Sequence, residues 1–164
     1  MKKQILLLLG FCFLFGCNSN KNYEETLMKY ENVNFCIFKN VSITFRSSDI
    51  GEKVYMISEL KGNTRPYIVV FDSNLNTYKI NNKFLLESGI KDYFEEVEII
   101  NYMKEFMKLK LYKLDCDSNC NVMINPFHPN ETVCLLLINK GNKISKDYLK
   151  YFKHYKRNWY VLKK

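Results

Sequence analysis

Val41, Ile43 and Phe45 alternate with Ser42, Thr44 and Arg46, the period-two pattern of a strand with one buried face. Residues 35–38, apolar on both faces, precede it and read as strand-like. The polar turn 47–51 ends in Gly51 and leads into a second strand over 53–60. Residues 61–66, with Gly62 and Pro66, break the chain again. The apolar run 67–71 and the segment 77–80 then flank Asp72-Ser73-Asn74, which predicts a hairpin. Ahead of all these, residues 23–31 predict a short helix.

The period then changes. Over residues 92–107, Phe94, Val97, Ile100, Met103 and Met107 recur at helical spacing, while Glu95, Glu98, Lys104 and Glu105 fall largely off that stripe. Residues 109–114, 122–127 and 132–139 return to strand patterns. Ser145 is placed to cap a late helix carrying Tyr148, Leu149, Tyr151, Phe152 and Tyr155 on one face, and residues 158–162 close the chain as a strand. The pattern predicts an α+β domain over residues 23–164: an antiparallel sheet with one long central helix and one late helix packed on it.

The chain has 164 residues, of which 47% are apolar and 26% charged, ample for a packed core. Alanine is absent and Gln occurs once, while Lys, Asn, Ile, Tyr and Phe abound. These are the residues of AT-rich codons, so the composition reads as genome bias.

The first segment reads as an address. Lys2 and Lys3 precede an apolar stretch over 5–15, broken only by Gly10. It is too short to span a bilayer, which takes ~20 residues, and it fits a signal core. Leu14-Phe15-Gly16-Cys17, followed by the polar residues 18–22, resembles the lipobox of bacterial lipoproteins. The resemblance covers only the first 17 residues, and in style the leader and composition look like lipoproteins of Bacteroidota. It implies a signal peptide over 1–16, a diacylglycerol thioether on Cys17, and a short tether over 17–22. Asn18 is not the Asp that marks inner-membrane retention in some bacteria, so the resemblance implies an outer-membrane anchor.

An exported chain meets an oxidising compartment. With Cys12 in the signal and Cys17 lipidated, Cys36, Cys116, Cys120 and Cys134 remain, an even number that predicts two disulfides. Three connectivities exist. The favoured one joins Cys116 to Cys120 within a polar loop and Cys36 to Cys134 between apolar runs. A zinc site from Cys116, Cys120 and His128 is the competing reading.

Other constellations are weaker. Residues 115–121 place an oxygen side chain at every second position, as calcium prefers, but Cys120 and Pro126 stand where an EF-hand needs Gly and Glu. Ser88-Gly89-Ile90-Lys91 matches S-x-x-K without the partner motifs of that chemistry. His128 and His154 have no nucleophile beside them in sequence, and no phosphate loop or dinucleotide fingerprint is present. The inventory leans against catalysis and calls for no cofactor and no resident metal.

Charge is the most asymmetric feature. Residues 140–164 carry +8, with nine cations against Asp147 alone, whereas the chain from Cys17 onward carries +6, so its remainder is −2. On a late helix, Lys146, Lys150, Lys153 and Arg157 would form a ridge beside aromatic rings, with Trp159 on the following strand. Outside the cytoplasm such a segment suits an anionic headgroup or an acidic protein face, and nucleic acid is not expected. Two function classes follow. One is a membrane-tethered, non-catalytic binding module, with immunity against a secreted toxin as one form. The other is a small hydrolase or ligand-binding domain with a pocket between helix and sheet.

Overall fold

The computed structural model describes residues 22–61 and 65–163. The expected signal segment, Cys17 and all but the last residue of the tether lie outside the described residues. Four α-helices are present among them: α1 (Tyr23–Tyr30), α2 (Lys83–Glu87), α3 (Glu96–Leu109) and α4 (Lys146–Tyr151). The strands are β1 (Val41–Asp49), β2 (Glu52–Glu59), β3 (Tyr67–Asp72), β4 (Thr77–Asn81), β5 (Lys113–Cys116), β6 (Val122–Asn125), β7 (Leu135–Leu137), β8 (Phe152–Lys156) and β9 (Trp159–Leu162). All nine form one sheet in the order β4-β3-β2-β1-β5-β6-β7-β9-β8. Every pair in it is antiparallel. The chain is thus of mixed α+β class.

The register explains the core. Ile57 faces Ile43, Ile43 faces Leu114, Leu114 faces Ile124, Ile124 faces Leu135 and Leu135 faces Val161, so one buried row crosses six strands. Helical side chains join this row in one cluster: Leu27 and Tyr30 of α1, Leu85 of α2, and Ile99, Met103 and Phe106 of α3. Burying each of the larger ones contributes roughly 1.5–3 kcal/mol relative to exposure. A second, smaller cluster of Leu136, Ile138 and Phe152 gathers Tyr148 of α4 and Tyr160 of β9.

Local chemistry sets the boundaries. The Asn22 side chain accepts from the Glu25 amide and caps α1. Glu95 and Glu98 close a capping box at the start of α3, where Glu98 accepts from the Glu95 amide at 2.8 Å. The tips of the two left-hand hairpins lock together, since both the amide and the hydroxyl of Ser73 donate to the Gly51 carbonyl. Gly51 sits at φ +79°, and a Cβ there would lie 2.3 Å from Nδ2 of Asn74.

Several expectations need correction. Residues 35–38 form a 3₁₀ turn, capped by the Asn34 side chain, rather than a strand. On α3 the buried stripe is Ile99, Met103 and Phe106, and Val97 is 58% exposed. The helix starts at Glu96, so Phe94 packs ahead of it against Tyr67 and Tyr102 instead of opening the stripe. The late helix ends at Tyr151, because Phe152 pairs with Leu162 and opens a terminal hairpin.

The disulfide pattern also differs. Cys36 is bonded to Cys120, and Cys116 and Cys134 are buried thiols that form no disulfide among the described residues. Cys116 ends β5 on the helix-covered face, with its Sγ 3.4 Å from the Phe35 carbonyl. Cys120, in a left-handed turn at φ 59°, is the one that reaches Cys36. Cys134 lies beside Ile124, at the other end of the β6 ladder. Three strand residues separate the two ends, about 10 Å, which exceeds the ~7 Å limit for bridged Cα atoms. The Cys36–Cys134 and Cys116–Cys120 pairings are therefore both replaced by one bond closing an 84-residue separation.

Candidate functional site

A cavity of about 480 Å³ opens between the C-terminal end of α3 and the β1–β2 hairpin, a size ordinary for small-molecule sites. Its apolar wall is an edge-to-face chain of rings. Phe45 packs on Tyr55 and on Tyr112 at 5.7 Å each, and Tyr55 packs on Phe106 at 5.9 Å. Lys53, Lys110 and His128 supply its cationic or donor groups, Ser48 joins them in the lining, and no carboxylate among the described residues lines it. Burial, then the neighbouring Tyr78, pushes the Tyr55 phenol up to about 12, so it keeps its proton at neutral pH.

Each basic group is held by a specific feature of the chain. Lys110 is the C-cap of α3 in the left-handed conformation, φ 54°, a place that Gly or Asn fills at less cost. Lys53 pairs with Ser48 just beyond a bulge between Phe45 and Ser47 that shifts the register of β1 against β2. His128 rides on the loop after β6, and that loop is built on one fully buried side chain. The Asn125 amide nitrogen donates to the carbonyls of His128 (2.6 Å) and Glu131 (2.8 Å). Its oxygen accepts from the amides of Phe127 (3.0 Å) and His128 (3.4 Å). The imidazole is then oriented by its own loop: Nδ1 accepts from the Asn130 amide at 3.2 Å, which leaves the proton of the neutral ring on Nε2. No hydrogen bond joins Ser48 to His128 among the described residues, and no carboxylate holds the ring.

A second hollow has the opposite sign. Asp92, Glu95, Glu96 and Glu98 rim a space of about 690 Å³ at the start of α3. The Tyr67 hydroxyl there is taken up by structure, accepting from the amides of Tyr93 (2.8 Å) and Phe94 (3.1 Å).

The residues singled out from sequence are not gathered in one place. Lys146 and Lys150 lie on α4, Lys153 on β8, and Arg157 in the β8–β9 turn, so no single helical ridge exists. Arg157 is paired with Glu31, and Lys150 lies 2.8 Å from Asp147. Trp159 is only 5% exposed and belongs to the core. Both carboxylates of residues 115–121 are taken up: Asp117 accepts from the amides of Asn119 and Asn121 and from the Asn121 side chain, all within 2.9 Å, and Asp115, in β5, accepts from the Ser42 hydroxyl and pairs with Lys113. Cys116, Cys120 and His128 are not brought together as ligands, since Cys120 is disulfide-bonded and burial pushes the Cys116 thiol up to about 12. No group of three or more metal-ligating side chains is assembled among the described residues. The Ser88 hydroxyl donates to the Phe84 carbonyl at 2.8 Å, as at many helix ends. The ε-nitrogen of His154 sits 2.7 Å from the Arg157 carbonyl.

A pocket between helix and sheet was expected only under the second function class, and of the residues that line this one only His128 was singled out for chemistry. Its basic groups Lys53, Lys110 and His128 come from three segments far apart in sequence. The one local signal was His128 between Phe127 and Pro129. No helix among the described residues is long and apolar enough to cross a membrane. No protein-family model, no curated protein and no solved structure matches this chain.

Proposed function

We propose that this chain is an exported, lipid-anchored envelope protein whose folded part is a non-catalytic binding module for a small anionic ligand. The anchor reading rests on the lipobox-like Leu14–Cys17 and on an apolar leader too short to span. The observation that carries the ligand reading is the cavity of about 480 Å³, lined by Lys53, Lys110 and His128 beside four aromatic rings, with no carboxylate among the described residues in its wall. Such a wall favours an anionic head on an apolar or aromatic body. The rings cover the body, and the ammonium groups and Nε2–H meet the head.

Catalysis is not needed to explain this arrangement. A general base requires a neighbour that orients it and a proton within reach. His128 is oriented by a backbone amide and forms no bond with Ser48, so it serves as a donor rather than as half of a dyad.

Titration calorimetry with a matched probe pair tests the reading. Naphthalene-2-carboxylate is expected to bind, and 2-naphthylmethylamine, of equal bulk and opposite charge, is not. Replacing Lys53 and Lys110 together by Gln removes two charge-assisted contacts of ~1.5 kcal/mol or more each, a loss of at least about 100-fold. Equal affinity for both probes, or no change in the double variant, would refute it.

A further inference from the structure

The fold brings the start of α1 against the terminal hairpin. The Tyr23 ring lies 5.9 Å from Tyr155, Lys156 reaches Glu24 at 2.6 Å, and Arg157 is paired with Glu31. Tyr23, Lys153 and Lys163 line one shallow hollow. The sixth residue after Cys17 is therefore fixed to the outer edge of the sheet, formed by β8. Six residues span at most ~20 Å, so a lipid on Cys17 would hold this edge, rather than the β4 edge, close to the bilayer.

The chemistry of that edge suits such a position. Tyr151 is 62% exposed, Leu149 43% and Tyr155 41%, and Lys146, Lys150 and Lys153 stand among them. Lys163 is tied into the same region, its ammonium donating to the Leu149 carbonyl at 2.6 Å. Against the eight described cations of residues 140–163 stand Asp147 and the α1 partners Glu24 and Glu31, which leaves +5. Tyrosines and cations side by side are what a headgroup layer favours.

We propose that the β8 edge and α4 dock on anionic phospholipid headgroups, through Lys146, Lys150, Lys153 and Lys163 with Tyr151 and Tyr155 between them. The inference rests on the lipid-anchor reading. It makes the tether an orienting device: one lipid and one basic surface act together, and the cavity between α3 and β1–β2 keeps a fixed attitude to the membrane.

The test is lysine acylation footprinting, read by mass spectrometry on the full lipidated protein. The protein is reconstituted in phosphatidylcholine vesicles with and without phosphatidylglycerol. Labelling at Lys146, Lys150 and Lys153 is expected to slow about fivefold with phosphatidylglycerol, the factor a negative surface gives a lysine close to it. Lys79 on β4, at the far edge, should label alike in both. Equal labelling of the α4 and β8 lysines in the two vesicle types overturns the docking surface while leaving the anchor intact. A protein with no lipid mass on Cys17, which stays in solution with either vesicle, overturns the anchor and the docking surface with it.

Discussion

Asn125 is the residue on which the His128 loop depends most, and Asn125→Ala isolates its contribution. The side chain is fully buried and makes four hydrogen bonds to backbone groups of residues 127, 128 and 131. A net hydrogen bond contributes about 1 kcal/mol, and a buried partner left unsatisfied costs ~1–3 kcal/mol. The 2.6 and 2.8 Å bonds are the strongest, while the 3.4 Å contact adds little. The loop is partly wetted, so water takes over some of the released groups. The expected loss is about 3 kcal/mol, read as a lower urea midpoint at unchanged slope. The same variant should weaken naphthalene-2-carboxylate binding, because His128 is no longer held at the cavity wall. A loss below about 1 kcal/mol with full ligand affinity would show that the loop is positioned by Pro126 and Pro129 and not by Asn125.

Further outcomes follow from the thiols and phenols. Denatured, unreduced protein should show two reactive thiols in its folded part, Cys116 and Cys134, and native protein at pH 8 should show almost none, because both are buried. Losing the Cys36–Cys120 bond by Cys36→Ser should cost up to about 4.5 kcal/mol, the loop-closure entropy for an 84-residue separation, measured by urea unfolding. Alkaline stability should fall from about pH 10 toward 12. Tyr30 and Tyr55 are raised to about 12 in the folded state, chiefly by burial, so the unfolded chain loses those protons first and gains stability as pH rises. Phenolate absorbance that reaches its full value by pH 11 without unfolding would contradict this.

The left half of the sheet was legible because its signals are local. Alternation at Val41–Phe45 and the Gly51 turn sufficed to place two strands on either side of a turn, and Asp72-Ser73-Asn74 marked the hairpin that pairs β3 with β4. The C-terminal quarter was not, since Tyr148, Leu149, Tyr151, Phe152 and Tyr155 satisfy helical spacing while Phe152 onward also pairs as a strand. Pairing with β9 decides between the two, and the turn Arg157-Asn158 carries no glycine to announce the hairpin. Cysteine pairing was hidden for a related reason: the partner of Cys36 is set by which end of the β5–β6 ladder the 3₁₀ turn packs on. The cavity depends on the bulge at Phe45/Ser47 and the left-handed Lys110, neither of which has a sequence signature. The charge excess in residues 140–164 was real, but within its expected ridge Arg157 is paired with Glu31, and Lys150 has Asp147 as an exposed neighbour.

We propose that the cavity at α3 and β1–β2, and not the basic C-terminal segment, binds a soluble anionic ligand. Backbone and side-chain NMR shift mapping during titration with naphthalene-2-carboxylate tests it most directly. Saturable shifts are expected to converge on Lys53, Tyr55, Lys110, Tyr112 and His128, with residues 146–163 and the acidic hollow at Asp92–Glu98 unmoved. Shifts centred on Lys146–Lys153, or spread over all exposed lysines without saturation, would contradict it.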